Sequence, residues 1–213
     1  MTELIVNFNE IITAGIAITA FALLLYSLAF NLRNNVAISF SLVMVCVVII
    51  NSADAIASNS TVDQVIEILL WVQWFGIIWL PAAILRFAKA LLETTGVVHR
   101  QKYYLLTFLL STAFSFLLFT GILLGRITIS EEPAPHFTRN IWNIVFLVYY
   151  TLVIIVSLNH IYRARQRART TTTRRRTSYL LFSSLVVSIG SFPYLLYGSE
   201  VATEIPGIFW LTA

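Results

Sequence analysis

Residues Val62–Glu93, with the sequence VDQVIEILLWVQWFGIIWLPAAILRFAKALLE, decide the fold of this chain. Their interior from Ile68 to Leu85 carries no charge, and acidic and basic residues flank it at opposite ends. A helix needs about 20 residues to cross a bilayer core, and this run is long enough once its flanking side chains are counted. The pattern predicts one oriented membrane helix.

One face of this predicted helix differs from the rest. At 100° per residue, the side chains of Glu67, Trp71, Trp74 and Ile78 fall within about 60° of one another, and Pro81 lies on nearly the same face. Proline removes a backbone hydrogen bond and bends a helix, which membrane proteins tolerate when neighbours satisfy the freed carbonyl. The helix is therefore predicted to be kinked, with one polar and aromatic side.

The composition of the whole chain agrees with a membrane protein. The 213 residues are 58% hydrophobic and only 11% charged, whereas soluble domains are about a quarter charged. The basic residues stand between apolar runs, which is typical of membrane topology and argues against nucleic-acid binding. The single cysteine, Cys46, excludes an intrachain disulfide and is expected to be a small buried residue.

The apolar runs predict an all-α, polytopic membrane bundle that forms a single domain over residues 1–213. Six full spans and the start of a seventh are expected at about 11–31, 36–57, 63–92, 103–125, 141–161, 178–198 and 205–213. Gly96 is expected to end the third helix. The final run is too short to cross a bilayer, so we expect the sequence to be a fragment of a longer chain.

Charge predicts the orientation in the membrane. Twelve of the 14 Lys and Arg residues lie in the loops after the first, third and fifth spans or at the adjacent helix ends, and nine of the ten acidic residues lie on the opposite side. Short loops rich in Lys and Arg stay in the cytoplasm. The sequence therefore predicts a multi-pass protein of the plasma (inner) membrane with its N-terminus outside.

The sequence carries no recognisable catalytic motif. The sequence contains no HExxH, GxSxG or glycine-rich phosphate loop. His99 and His160 are predicted on the cytoplasmic side and His136 outside, so a shared metal site is not expected. The sequence predicts a non-enzymatic chain without a cofactor.

A polar and aromatic group in the outer half is the strongest candidate for ligand binding. Carboxylates at membrane depth are costly unless they pair or line water, and aromatic walls with a few polar groups are typical of small-ligand sites. The candidate residues are Asn51, Asp54, Glu67, Trp71, Trp74 and Asn143. The alternative is that the aromatic residues form an interfacial belt and the acids mark the membrane boundary. Gln73 and Trp79 lie on other faces and are expected to serve helix packing.

Two further features have a structural and a functional interpretation. Pro81, and Pro193 with Gly190, are either ordinary kinks or hinges of a signalling movement. The basic segment 163–176 is either a topology anchor that attracts anionic lipid or a docking site for an acidic cytoplasmic partner or domain.

Two stretches carry a resemblance to a known family. Residues 74–96, WFGIIWLPAAILRFAKALLETTG, and residues 174–198, RRRTSYLLFSSLVVSIGSFPYLLYG, together with the span pattern from Ile11 to Ala213, resemble the N-terminal seven-transmembrane sensor region of bacterial membrane histidine kinases. The resemblance implies that a seventh helix leads into cytoplasmic signalling domains of a two-component system. It implies no catalytic or binding residue in this chain.

The leading hypothesis is therefore a receptor module that detects a small extracellular or membrane-borne ligand and passes the signal to cytoplasmic domains beyond residue 213. The alternative is a non-catalytic membrane subunit of a larger complex, with Ser184, Ser188 and Gly190 in helix contacts. A transporter is less favoured because no internal repeat is visible. A second copy of the chain is a further candidate partner.

Overall fold

The computed structural model describes residues 2–30, 34–96, 102–128, 136–168 and 170–190. Within these ranges the chain is helical apart from one β-hairpin, as expected for an all-α membrane bundle. The elements are α1 (Thr2–Phe30), α2 (Asn35–Ser58), α3 (Asp63–Glu93), α4 (Lys102–Phe119), β1 (Leu124–Thr128), β2 (His136–Arg139), α5 (Ile141–Arg167) and α6 (Thr171–Gly190).

Helix α3 lies at the centre of the described bundle. It packs against α2, α4 and α5, whereas α1 packs on α2 and α6 packs on α5. The prediction that residues 62–93 form one helix is confirmed, with Val62 in extended conformation as the N-cap. The buried side chains of α3 include Ile66, Leu70, Ile78 and Leu85, so this helix supplies much of the core.

The end of α3 also follows the prediction. The hydroxyls of Thr94 and Thr95 donate to carbonyls of the last turn, each at 2.7 Å. Gly96 then has φ +84°, a left-handed conformation that side chains with a Cβ rarely adopt. Glu93, the acidic residue on the basic side of the chain, pairs with Lys89 at 3.5 Å.

Four described helices contain segments long and apolar enough to cross a membrane: Ile11–Ala29, Asn35–Ala57, Asp63–Glu93 and Ile141–Arg167. The apolar part of α4, Tyr103–Phe119, is shorter. Large apolar side chains on the outside of α4, such as Leu105, Phe108 and Phe116, are exposed, and lipid chains would cover such a surface. The sixth and seventh predicted spans lie partly or wholly outside the described residues, so the span count stays a prediction.

The connection from α4 to α5 contains structure that the sequence did not indicate. The predicted span 103–125 is helical only to Phe119, because Gly121 takes φ +70° and turns the chain. Leu123 and Leu124 then bury themselves in the core. Strands β1 and β2 pair antiparallel, with Leu124 opposite Arg139, and an irregularity follows Leu124.

The bundle has two ends, a hairpin end and an arginine end. The hairpin end contains the β1–β2 hairpin, the ends of α2 and α4 and the starts of α3 and α5. The arginine end contains the ends of α3 and α5 and the starts of α4 and α6. Between them, Cys46 is buried against Leu80 and Ala83 at the α2–α3 contact, which confirms the expectation for this cysteine.

Candidate functional site

Asn143 lies in the first turn of α5, at the hairpin end. Asn140 fixes this turn, because its side chain accepts from the Ile141 amide at 2.7 Å and donates to the Ile122 carbonyl at 3.0 Å. The Asn143 side chain is only 1% exposed. Among the described residues, neither its Nδ2 nor its Oδ1 has a hydrogen-bond partner. A buried amide without partners costs about 1–3 kcal/mol, so its presence calls for a functional or structural reason.

The surroundings of Asn143 are apolar. Phe146 lies one helical turn further along the same face of α5, and its ring packs at 6.2 Å from that of Trp74. Phe146 is fully buried in the main core cluster of the bundle. Other members of that cluster at the hairpin end are Ile66, Leu70, Leu118, Leu123 and Leu124. The donor and the acceptor of one carboxamide are thus held at the edge of an aromatic and aliphatic core.

The polar and aromatic face of α3 runs from solvent into this core. Glu67 is exposed near the start of the helix. Trp71 is half-buried, and its ring stacks on Phe119 of α4 at 6.5 Å with an interplanar angle of 10°. Trp74 is buried against Phe146. The face predicted from the helical wheel therefore points toward α4 and α5, where Asn143 also lies.

Asn51 and Asp54 belong to a different contact. Asp54 Oδ1 accepts from Gln73 Nε2 at 3.2 Å, and Gln73 is only 2% exposed. Asn51 Nδ2 donates to the Val47 carbonyl of its own helix at 2.8 Å. Because Gln73 and Trp74 are consecutive, their side chains leave α3 about 100° apart. The structure therefore separates Asn51 and Asp54 of α2 from Trp71, Trp74 and Asn143, which lie on the side of α4 and α5, while Glu67 is exposed.

The expectations for Gln73 and Trp79 are confirmed. Gln73 serves the contact between α2 and α3. Trp79 packs edge-on against Phe108 of α4, with ring centroids 5.1 Å apart. Its Nε1 is buried and has no hydrogen-bond partner in the described ranges.

A buried hydrogen-bond group connects α3, α4 and α5 beside Pro81. Ser111 Oγ donates to the Ile78 carbonyl at 3.1 Å and lies 2.9 Å from the Tyr149 hydroxyl. The Tyr149 hydroxyl in turn donates to the Thr107 carbonyl at 3.1 Å. Since Pro81 has no N–H, the carbonyl of Ile77, next to Ile78, lacks its helical donor. The Ser111 hydroxyl thus reaches the α3 backbone one residue away from the carbonyl that Pro81 leaves without its donor.

Sequence reasoning missed this group. Ser111 and Ser115 both lie in the largely apolar run of α4, but Ser115 bonds only the Ser111 carbonyl of its own helix, at 2.9 Å. Two similar serines therefore have different functions that the sequence does not distinguish. Of the other predicted hinge residues, Gly190 ends α6 and Pro193 lies outside the described residues.

No three His, Cys, Asp or Glu side chains come together as a metal site would require, within the part of the chain that the structure describes. The chemistry that the hairpin end offers is recognition by hydrogen bonds and apolar contact.

Comparison with known proteins identifies one family. Residues 12–213 match the family described as the N-terminal 7TM region of histidine kinase. Comparisons with curated proteins and with solved structures give no match. The match covers nearly the whole chain and agrees with the apolar helices, so the chain is a multi-pass membrane protein.

Proposed function

Because the chain belongs to the N-terminal seven-transmembrane region of histidine kinases, we propose that it senses a small ligand at its hairpin end and signals from its arginine end. The kinase chemistry belongs to the cytoplasmic domains of such proteins, and this region supplies sensing. By the positive-inside rule, the arginine end faces the cytoplasm and the hairpin end faces outward from the inner membrane. The N-terminus is then outside.

The observation that carries this proposal is the unpaired carboxamide of Asn143. A donor and an acceptor are held side by side one helical turn before Phe146, whose buried ring packs against Trp74. A small neutral molecule with its own donor and acceptor, such as a primary amide, would complete both bonds if it entered beside the start of α5. The exposed Glu67 and half-buried Trp71 mark the approach from outside.

The hydroxyls of Ser111 and Tyr149 supply a bistable element for transmission. They make three close contacts but have only two hydrogens, so at most two contacts are hydrogen bonds at once. Ser111 either bonds the Ile78 carbonyl beside Pro81 or turns to Tyr149. Phe146 contacts both the Trp74 and Tyr149 rings, at 6.2 and 6.1 Å. A ligand that shifts Phe146 would bias this choice and hence the bend of α3.

Substitution of Asn143 by leucine tests the proposal. Leucine has the same branched arrangement of side-chain heavy atoms and no polar atoms, so the free energy of unfolding should stay equal or rise by about 1–3 kcal/mol. Ligand response should be lost. Asn159→Leu is the matched control, because Asn159 lies on the same helix and is exposed.

The measurements are thermal and detergent unfolding of the purified chain, and stabilisation by a panel of small amides, alcohols and amino acids. Compounds that raise the unfolding midpoint of the wild type and of Asn159→Leu should fail on Asn143→Leu. A loss of stability above 1 kcal/mol in Asn143→Leu without ligand would show that the protein itself satisfies the amide, and the proposal would be wrong.

A further inference from the structure

The turn between α5 and α6 concentrates positive charge. Seven arginines fall within residues 163–176, here called the arginine turn, and the sequence has no acidic residue between Glu132 and Glu200. Helix α5 ends at Arg167 and α6 begins at Thr171, so the charges of both helices meet at one end of the bundle. At 1.5 Å per residue, the arginines of each helix fall within about 8 Å along its axis.

The arginines point in many directions around the two helices. Arg174, Arg175 and Arg176 are consecutive and exposed, so their side chains leave α6 at steps of about 100°. On α5, Arg163 and Arg167 are exposed on one face, and Arg165 lies on the other side. A docked protein contacts one face of such a turn, whereas the phosphates of a lipid leaflet surround it. The distribution favours lipid.

Aromatic side chains place the arginines at headgroup depth. Tyr162, just before Arg163 on α5, and Tyr179, three residues after Arg176 on α6, are both exposed on the side toward the apolar segments. Exposed tyrosines favour the membrane–water interface. The arginines begin within about one turn of these rings and extend away from the bilayer core, so they reach the lipid phosphates.

Arg165 differs from the other described arginines of the turn. Its side chain is partly buried beside Ala164, and Ile161, one turn earlier on the same face, is fully buried. Its Nε is buried and has no hydrogen-bond partner among the described residues. In addition, Arg174 stands in the first turn of α6, where the helix dipole disfavours a cation. An anion that bonds the guanidinium of Arg165 would supply the missing partner at the end of α5.

We propose that the arginine turn binds the phosphate headgroup of an anionic lipid, with Arg165 at the end of α5 holding one headgroup. Arginine suits this ligand because its planar guanidinium bonds two phosphate oxygens at once. The exposed arginines add attraction to the surrounding anionic leaflet. The site requires only that the chain lies in a membrane, so it stands independently of the ligand site at the hairpin end.

Native mass spectrometry of the purified chain in neutral detergent tests the site, with phosphatidylglycerol as probe and phosphatidylcholine as reference. The expected result is tighter retention of phosphatidylglycerol. Arg165→Ala should weaken that retention by about tenfold or more, since a charge-assisted hydrogen bond contributes about 1.5–3 kcal/mol. Arg163→Ala is the matched control, because it removes the same charge from an exposed site on the same helix. Arg163→Ala should lower the retention of phosphatidylglycerol about fivefold, as expected for one arginine near an anionic surface.

A second variant separates binding from folding. Arg165→Lys keeps the charge and removes the guanidinium, so it should fold as the wild type does and show intermediate retention. If Arg163→Ala and Arg165→Ala lower lipid retention equally, the lipid is attracted by the overall charge rather than by a site at Arg165, and the proposal is wrong. Retention blocked by millimolar inorganic phosphate would assign the site to free phosphate. Polyglutamate binding that depends on Arg165, without selective lipid retention, would assign it to an acidic protein.

Discussion

Gly76→Ala should weaken the contact between α2 and α3. A Cβ at Gly76 would lie 2.8 Å from Ile50 Cγ1, 3.1 Å from Ile49 Cγ2 and 3.3 Å from the Cys46 carbonyl oxygen. Carbon atoms normally approach to about 3.5–4.0 Å. Both isoleucines are β-branched and stiff, and the third atom belongs to the backbone, so the helices themselves must move apart.

The magnitude follows from two opposing terms. Alanine gains up to about 1 kcal/mol over glycine in a helix, and overpacking a close contact costs about 1–3 kcal/mol. Gly15→Ala contains only the first term, because a Cβ at Gly15 of α1 has no atom within 4 Å. Since the helix-propensity gain is common to both variants, Gly76→Ala should be less stable than Gly15→Ala by about 1–3 kcal/mol.

The assay is reversible unfolding of the purified chain in mixed micelles with increasing SDS, followed by circular dichroism and tryptophan fluorescence. The double variant of Gly76→Ala and Ile50→Ala should be about 1 kcal/mol more stable than the sum of the two single effects predicts. The truncated side chain at position 50 leaves room for the new methyl group. Equal stability of Gly76→Ala and Gly15→Ala would refute the close approach of the helices.

Two other predictions concern the helix contacts of the site. Ser111→Ala removes a donor from the Ile78 carbonyl, whereas Tyr149→Phe leaves Ser111 free to bond it, so the two substitutions should shift the output of the full-length kinase in opposite directions. Each should lower the free energy of unfolding by about 0.6–1.7 kcal/mol. The stacked pair of Trp71 and Phe119 should show a coupling of about 0.5–1.5 kcal/mol in a double-mutant cycle of unfolding.

Each of these predictions has its control. Thr112→Ala removes an exposed hydroxyl that bonds only the Phe108 carbonyl of its own helix, and it should leave output unchanged. Shifts of Ser111→Ala and Tyr149→Phe in the same direction would contradict the two-state arrangement of hydroxyls. Independent effects of Trp71→Ala and Phe119→Ala would show that the stacking is incidental.

The sequence by itself determined α3 and its environment. Three features of α3 depend only on residues close together in the chain, so the sequence shows them directly. They are the uncharged run from Ile68 to Leu85, the polar and aromatic face of the helix, and the glycine that ends it, Gly96. The family followed from the same stretch and the basic segment before the sixth span, and the family match confirms it. The orientation remains a prediction from charge.

Only the tertiary structure decided which polar groups meet and which are left over. Asn143 in the sequence is one of several polar residues near a membrane boundary, and its two unpaired atoms become visible only when α3 and α5 enclose it. The bond from Gln73 to Asp54 and the Ser111–Tyr149 pair likewise join residues far apart in the chain. Hydrogen-bond satisfaction depends on all neighbours in space, whereas helix formation in a membrane depends mainly on the segment itself.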